Sequence, residues 1–397
     1  MLRVVTLSTL FPNSARPNLG IFVEAQTLRL AANEAVELRV VNPIGVPYFP
    51  FWLHPQYCLL HKLPCEENWK GLHIARPRFS IIPGLSGRFN PALLFRAVAP
   101  VLRRWRAEGF KFDLIDTEFF YPDGPAAARL AKEFDVPFSI KARGADIHYW
   151  GTRPGCRSRI LSAATQANHL LAVSQSLRRD MVAMGMEAGK ISVHYTGVDL
   201  ERFHPCSEKE REVARKALNV KGPLVVSVGA LIPRKAHHIA IEAMVEIENA
   251  ILLIVGVGQE RSRLASLIQA RGLTERVRLL GSVPHSELPA IMAAADVMVL
   301  MSESEGLANA WVEALACGTP LAISDVDGAR EVVDRPEAGR LLTVRTPTAV
   351  ADAINAILAK PPARDAVRKC AERFTWQKNT SELYRDLVNL KKLRLPH

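Results

Sequence analysis

The chain has 397 residues, 48% of them apolar and 23% charged, and a formal charge of +11. That length exceeds one ordinary core and predicts two domains of roughly 150–200 residues each in a globular protein. The longest apolar runs, such as Ile251–Val257 and Val297–Met301, are strand-length. They exclude a membrane-spanning helix, which needs about 20 apolar residues.

At the N-terminus, Thr6, Ser8 and Thr9 interrupt a short apolar run, and Phe11-Pro12-Asn13 ends it without a small-residue cleavage pattern. A first β-strand and a cytoplasmic protein are expected, rather than a signal peptide. Cys58, Cys65, Cys156, Cys206, Cys317 and Cys370 form no CxxC pair and no zinc spacing, and are read as free thiols. The charge is uneven, with a net of +8 over Met1–Leu200 and +3 over the remainder. A basic first half favours anionic partners.

In chain order, β-branched runs alternate with helical patterns. Strands are expected at Arg3–Leu7, Glu37–Val41, His73–Ala75, Leu114–Thr117, Phe138–Lys141, His169–Val173 and Ile191–His194. Helices are expected at Glu24–Asn33, Pro91–Glu108, Gly124–Phe134 and Ser174–Met184. Asn42–Asn68, rich in proline and aromatics, reads as a long loop. After a connection through Phe203-His204-Pro205 and a charged helix at Glu208–Leu218, the pattern restarts. Strands are expected at Leu224–Val228, Ala250–Val255, Val277–Leu280, Val297–Leu300 and Leu321–Ser324. The helices between and after them are Ala236–Val245, Glu260–Arg271, Ser286–Ala294, Ala308–Ala316 and Thr348–Leu358. Buried strands alternating with covering helices predict an α/β protein of two Rossmann-like, doubly wound domains facing a cleft. The expected domains are residues 1–200 and 201–377, with a last helix of about 378–397 returning to the first.

Three constellations carry chemistry. In Val225–Lys235 a strand ends in Gly229, and a loop delivers Arg234 and Lys235 just before a helix. A planar fork and a compact cation together suit a diphosphate, although such a pair is also common on solvated surfaces. Gly256-Val257-Gly258 lacks the third glycine of a dinucleotide fingerprint, and marks a tight turn or close backbone approach rather than a nicotinamide site. The third runs from Met301 to Pro320. Glu305 lies in a loop after a strand and Glu313 about two turns into the following element, so the two carboxylates can meet hydroxyls at separate points of an extended polyol ligand. The flanks of Glu313 are apolar, so it requires a partner.

This Glu-x7-Glu block, with Gly318-Thr319-Pro320 and the Arg234-Lys235 loop, resembles family 4 of the retaining glycosyltransferases, which have the two-domain GT-B fold. The likeness extends to Phe11-Pro12 through Gly20–Val23, to Tyr121-Pro122-Asp123-Gly124, to Gly144-Ala145-Asp146, to Gly197-Val198-Asp199 and to Phe374-Thr375-Trp376. The resemblance implies a sugar transferred from a UDP- or GDP-sugar to a saccharide or polyprenyl-linked acceptor, in cell-surface polysaccharide or glycolipid synthesis. It implies that Arg234 and Lys235 hold the donor diphosphate and that Glu305 binds the sugar, with the amides of Gly306 and Leu307 nearby. Glu313 is implied for the ribose, the backbone at Val283 for the base, and Gly20 for close approach of the first loop to the phosphates.

Two departures concern the acceptor half. Arg143 stands where many members have histidine before Gly144-Ala145-Asp146, and Asp116-Thr117-Glu118 replaces a histidine-rich strand end. Arg143 and Asp146 are carried as catalytic candidates, and His148 and Glu118 as acceptor candidates. Asp325-Val326-Asp327 spells a metal-binding pattern of another fold. Fixed cations can do a metal's electrostatic work, so neither metal nor cofactor is expected.

Helix 91–110 interleaves an apolar stripe (Leu93, Leu94, Val98, Val101, Leu102, Trp105) with Arg96, Arg103, Arg104 and Arg106. With the aromatic residues 48–52 it suggests contact with an anionic membrane, against the alternative of a stripe packed on the sheet. An epimerase or oxidoreductase on a similar scaffold is the competing class. A nucleic-acid partner is not expected, because no recognition module accompanies the charge.

Overall fold

A computed structural model describes residues 1–54, 57–82 and 86–392. It divides into one unit of Met1–Tyr195 with the segment from Trp376 onward, and a second of Thr196–Thr375. Among the described residues the first unit contains ten strands: β1 (Leu2–Leu7), β2 (Val36–Val41), β3 (Ile44–Pro47), β4 (Glu66–Trp69), β5 (Leu72–Ala75), β6 (Arg78–Ile81), β7 (Leu114–Thr117), β8 (Phe138–Ala142), β9 (His169–Ala172) and β10 (Ile191–Val193). Eight of them form a sheet ordered β10-β9-β8-β7-β1-β2-β5-β4, parallel except at β4, and β3 pairs separately with β6. The second unit is a parallel sheet of β11 (Leu224–Val228), β12 (Ile251–Val255), β13 (Val277–Gly281), β14 (Val297–Leu300), β15 (Leu321–Ser324) and β16 (Gly339–Leu342), in the order β13-β12-β11-β14-β15-β16.

The strands are near-continuous apolar runs because helices cover both faces of each sheet. Val4, Val5, Leu7, Leu114, Ile115 and Ile140 are fully buried, as are Val225, Val226, Val297, Met298 and Val299. Local chemistry sets the helix starts. Ser174 accepts the amide of Leu177, Thr346 accepts that of Ala349, and Ser207 with Glu210 closes a reciprocal capping box on helix Glu208–Ala217.

Residues 42–68 do not form the single loop expected of them. Pro43, Pro47 and Pro50 suppress long strands, but β3 finds a partner in β6 and β4 folds antiparallel onto β5 through Lys70-Gly71. Buried Arg76 pins this region, donating to Glu67, to the Asn42 side chain and to the carbonyl of Pro12.

Helix Asn90–Ala107 settles which alternative its stripe follows. Leu94, Val98, Leu102 and Trp105 are wholly buried, and Leu93 and Val101 are partly buried. Arg103 pairs with Glu133, Arg104 with Glu66, and Arg106 donates to the carbonyl of Phe134. The stripe is taken up inside the unit, which leaves any bilayer contact to other surfaces. No helix among the described residues is long and apolar enough to cross a membrane.

The last helix, Trp376–Lys392, lays Leu383, Leu387 and Leu390 on the core of Leu2, Val4 and Leu30. Residues 393–397 of the helix expected from sequence lie outside the described residues. Its anchor is His194, whose Nε2 lies 2.8 Å from the carbonyl oxygen of Asn379, while the Asn379 amide donates to Tyr195 O at 2.6 Å.

Burial, reinforced by the charge of Lys141, drives the His194 pKa from 6.5 down to about 3. Below pH 6.5 the unfolded chain takes up a proton that the folded chain refuses, so stability is lost as pH falls from 6.5 towards about 3. His194→Gln removes this term. The variant should lose less stability than the wild type between neutral pH and about pH 4 in urea unfolding. Equal losses would show that His194 does not set this dependence.

Candidate active site

In the second unit, strand order reverses between β11 and β14. Ligands of doubly wound sheets bind at such switch points, beyond the carboxyl ends of the strands. The loop after β11 closes in a single 3₁₀ turn, Pro233–Lys235, and Ala236 at φ 47° then starts helix His237–Ala243. The loop after β14 carries Glu305. The two are tied by backbone, because the Glu303 amide donates to the carbonyl of Arg234 at 2.8 Å. Side chains complete the tie. Lys235 Nζ lies 2.5 Å from Glu305 Oε1, Arg234 Nη1 lies 3.5 Å from Glu305 Oε2, and Arg234 donates to the carbonyl of Ser304.

Glu305 is buried. Burial alone would raise its pKa, but Lys235 and then Arg234 outweigh it and hold the carboxyl below its ordinary value. Its backbone is fixed as well, since the Glu305 amide donates to Asp327 Oδ2 at 2.6 Å. Asp325 forks onto Arg330 at 2.8 and 2.5 Å, so both carboxylates of the Asp-Val-Asp triplet hold protein groups.

Glu313 lies on helix Asn309–Ala316, and the partner its apolar flanks require is His285, at 3.0 Å from Nε2 to Oε1. Val283 precedes that histidine by two residues on the loop after β13, and Gly306 and Leu307 are buried beside Glu305. The glycines of Gly256-Val257-Gly258 have a packing reason. A Cβ at Gly256 would lie 1.9 Å from the Gly229 carbonyl oxygen, and one at Gly258 2.2 Å from that of Leu231. They let the loops after β11 and β12 run together.

In the first unit the sheet reverses between β1 and β7, and the loops after these strands are cross-tied too. Asp123 Oδ2 accepts the Thr9 amide at 2.7 Å, and the Glu118 amide donates to Leu7 O. Gly20 caps helix Ile21–Ala31 at φ 69°, where a Cβ would meet the Leu10 carbonyl oxygen at 2.5 Å. The first loop therefore needs glycine there to close on itself.

The two departures from the family pattern meet. Arg143 forks onto Glu118 through its side-chain and backbone oxygens and covers the Phe22 ring at 4.8 Å. Lys141, fully buried, donates to Glu118 at 2.9 Å and to Gln26 at 2.8 Å. Burial would raise the Glu118 pKa, but Lys141 and Arg143 overcome it and hold the carboxyl well below its usual range. Burial, then Glu118, pushes Asp116 up. Asp146 is buried and accepts the amides of Phe120, Arg143 and Gly144, so it shapes the turn that carries Arg143. His148, on the π-helical turn Asp146–Trp150, pairs with Asp180 at 3.0 Å.

The structure thus brings Arg234, Lys235 and Glu305 together, and separately Arg143, Glu118 and Asp146. Sequence reasoning passed over Lys141, Gln26 and His285, and it weighed Asp327 only as part of a metal-binding pattern, not as the acceptor of the Glu305 amide. It also passed over His237, which is buried behind the Arg234-Lys235 loop with Nδ1 3.0 Å from Ser227 Oγ. Burial and then Lys235 push the His237 pKa down to about 4. The His237-His238 pair after the two cations was the available signal.

These features define an α/β protein of two doubly wound units with charged clusters at the switch points of its sheets, and comparison with known proteins gives its class. The model described as "Glycosyltransferase Family 4" matches residues 57–202, and that of "Glycosyl transferases group 1" matches residues 208–374. A Bacillus subtilis protein assigned to teichuronic acid biosynthesis as the glycosyltransferase TuaC is 26% identical over 393 residues, 96% of this chain and 97% of its own. D-inositol 3-phosphate glycosyltransferase of Salinispora tropica is 28% identical, over 81% of this chain and 73% of that one. Among solved structures, sucrose-phosphate synthase of Thermosynechococcus elongatus superposes with a TM-score of 0.80 at 21% identity, covering 98% of this chain and 100% of the other. Anabaena HepE in complex with UDP-glucose gives 0.73 at 19% identity, over 98% and 100%. The protein is a glycosyltransferase. It belongs to glycosyltransferase family 4 and has the GT-B fold.

Glu118→Gln removes the carboxylate that pairs directly with buried Lys141 and Arg143, and should cost about 3–5 kcal/mol in urea unfolding. Adding Arg143→Gln should cost less than the two single changes summed, because they share one ion pair. An unchanged midpoint for Glu118→Gln would contradict the cluster.

Proposed function

We propose that this glycosyltransferase moves a sugar from a UDP- or GDP-sugar to a saccharide or polyprenyl-linked acceptor in cell-surface polysaccharide or glycolipid synthesis. In this reading the anomeric configuration is retained, no metal or cofactor takes part, and the enzyme works at the inner face of the membrane. The observation that carries it is the convergence of Lys235 at 2.5 Å and Arg234 at 3.5 Å on buried Glu305. Relatives lend support. One similar protein of Corynebacterium glutamicum is described as a GDP-mannose-dependent mannosyltransferase of a phosphatidylinositol monomannoside, and HepE was solved with UDP-glucose.

Lys235 has three donors, so it can serve Glu305 and a phosphate oxygen together, and Arg234 adds a planar fork. Both oppose the charge that grows on the β-phosphate as the anomeric C–O bond breaks. Glu305 accepts from sugar hydroxyls, with the amides of Gly306 and Leu307 beside it. Glu313, oriented by His285, accepts from the ribose, and the backbone at Val283 lies along the base. Gly20 keeps the first loop compact near the phosphates. The acceptor hydroxyl attacks the face from which the diphosphate departs and passes its proton to the departing phosphate oxygen. Arg143, Asp146, Glu118 and His148 shape the acceptor side, the first three as a rigid charged turn.

The test is turnover with UDP- and GDP-sugars, with the product anomer read by NMR. Lys235→Ala should lower kcat about 100- to 1000-fold, the product should keep the donor's configuration, and EDTA should leave the rate unchanged. An inverted product, or activity lost in EDTA and restored by magnesium, would overturn this reading.

A further inference from the structure

We infer that Arg261 reads the nucleobase of the donor, giving a hydrogen bond to the carbonyl oxygen that uracil and guanine carry where cytosine and adenine carry an amino group. This role rests on the donor-site reading above and decides which bases that site accepts. The sheet of the second unit supplies the geometry. Its cationic loop lies at the ends of β11 and β14, and β12 and then β13 follow outwards, β13 standing two strand spacings, about 10 Å, from β11. A nucleoside diphosphate laid across these strand ends with its phosphates on Lys235 has its base at β13. The residue assigned to the ribose agrees with that direction, since Glu313 is held by His285 on the loop after β13.

The ends of β12 and β13 are tied together, because the Gly256 amide donates to Gly281 O at 2.8 Å, and Val257 beside them is 56% exposed. Helix Arg261–Ala270 follows on that loop, and its start is fixed from the cationic loop, where Leu231 O accepts the Glu260 amide at 3.0 Å. The first residue of the helix reaches across to β13. A Cβ at Gly281 would lie 3.8 Å from Arg261 Nη1, and glycine at φ 77° keeps that place clear of a side chain. Arg261 also differs from its neighbours. Five arginines lie between residues 261 and 278. Arg263 pairs with Glu260 and Arg271 with Glu242, while Arg276 donates to Ile247 O and Arg278 to Leu218 O. Arg261 is exposed, has no such partner among the described residues, and stands in the first helical turn, where the dipole disfavours a cation. A ligand that brings acceptors to this place offsets that cost. Guanidinium has five N–H donors and no acceptor. It can bond O4 of uracil or O6 of guanine, but it meets the amino groups of cytosine and adenine as donor against donor.

The experiment is calorimetric titration of the full chain with UDP, CDP, GDP and ADP at one ionic strength. UDP and CDP share their ribose and diphosphate, as do GDP and ADP, so the affinity ratio within each pair isolates the base edge. The wild type should bind UDP over CDP, or GDP over ADP, by roughly tenfold or more. Arg261→Gln, whose amide both donates and accepts, should bring that ratio close to one. Arg261→Glu should weaken all four nucleotides through its charge and turn the ratio towards the amino base. Arg263→Gln, on the same helix, should leave the ratio at its wild-type value. Melting temperatures of the Arg261 variants should stay near wild type, because the side chain is exposed. A wild type that does not discriminate within either pair would overturn the inference and leave the donor site standing. So would a ratio that both Arg261 variants leave unchanged, or an equal loss of all four nucleotides in Arg261→Gln, which would make Arg261 a general attraction for phosphate. A wild type that binds none of the four would bring down the donor-site reading itself, and this role with it.

Discussion

Glu305 sits where a carboxylate would ordinarily give up its charge, and two adjacent cations prevent it. Desolvation works against the ionised form, Lys235 and Arg234 work for it, and the cations win. That balance requires the loops after β11 and β14 to stand side by side, which the parallel sheet provides only at its point of reversal. The backbone ties from Glu303 to Arg234 and from Glu305 to Asp327 then remove most freedom from the pair. Preorganised charge of this kind needs little rearrangement when a diphosphate leaving group gains charge, which is why the arrangement suits glycosyl transfer.

The first unit applies the same physics differently. Glu118 and Arg143 each depart from the family pattern, and each supplies what the other lacks: a buried cation needs a countercharge, and a buried carboxylate needs donors. Lys141 and Gln26 extend the cluster to helix Ile21–Ala31, so the turn at Arg143 and the first loop's helix are held by one network. Asp146, buried under three amides, fixes the turn from below.

Much of this was legible in the residues. Strands Leu224–Val228, Val297–Leu300 and Leu321–Ser324 fall where their apolar runs put them, because a strand buried on both faces leaves an unbroken signature. Strand β16 was not legible: it is an edge strand of four residues with Arg340 inside it. Strands β3, β4 and β6 were hidden by proline and by polar alternation, and each depends on a partner distant in sequence or across a tight turn. Arg234, Lys235 and Glu305 could be singled out because they interrupt strand and helix patterns with charge. His285 could not, and Asp327 drew notice only as part of an Asp-Val-Asp triplet, since their roles come from Glu313 and the Glu305 amide, 28 and 22 residues away. Lys141 lay hidden inside a strand pattern, where no local rule says that a lysine will be buried.

The central claim is that the pair at Glu305 and the helix bearing Glu313 form a donor site for a nucleoside diphosphate sugar. Calorimetric titration of UDP, GDP and their sugars tests it most directly, against the wild type and Arg234→Ala, Glu305→Ala and Glu313→Ala. The account predicts that the wild type binds one nucleotide series, and that Arg234→Ala and Glu313→Ala weaken the nucleotide and its sugar alike by roughly 10- to 100-fold. It predicts that Glu305→Ala weakens the sugar form more than the bare nucleotide. Binding that all three substitutions leave untouched would contradict it.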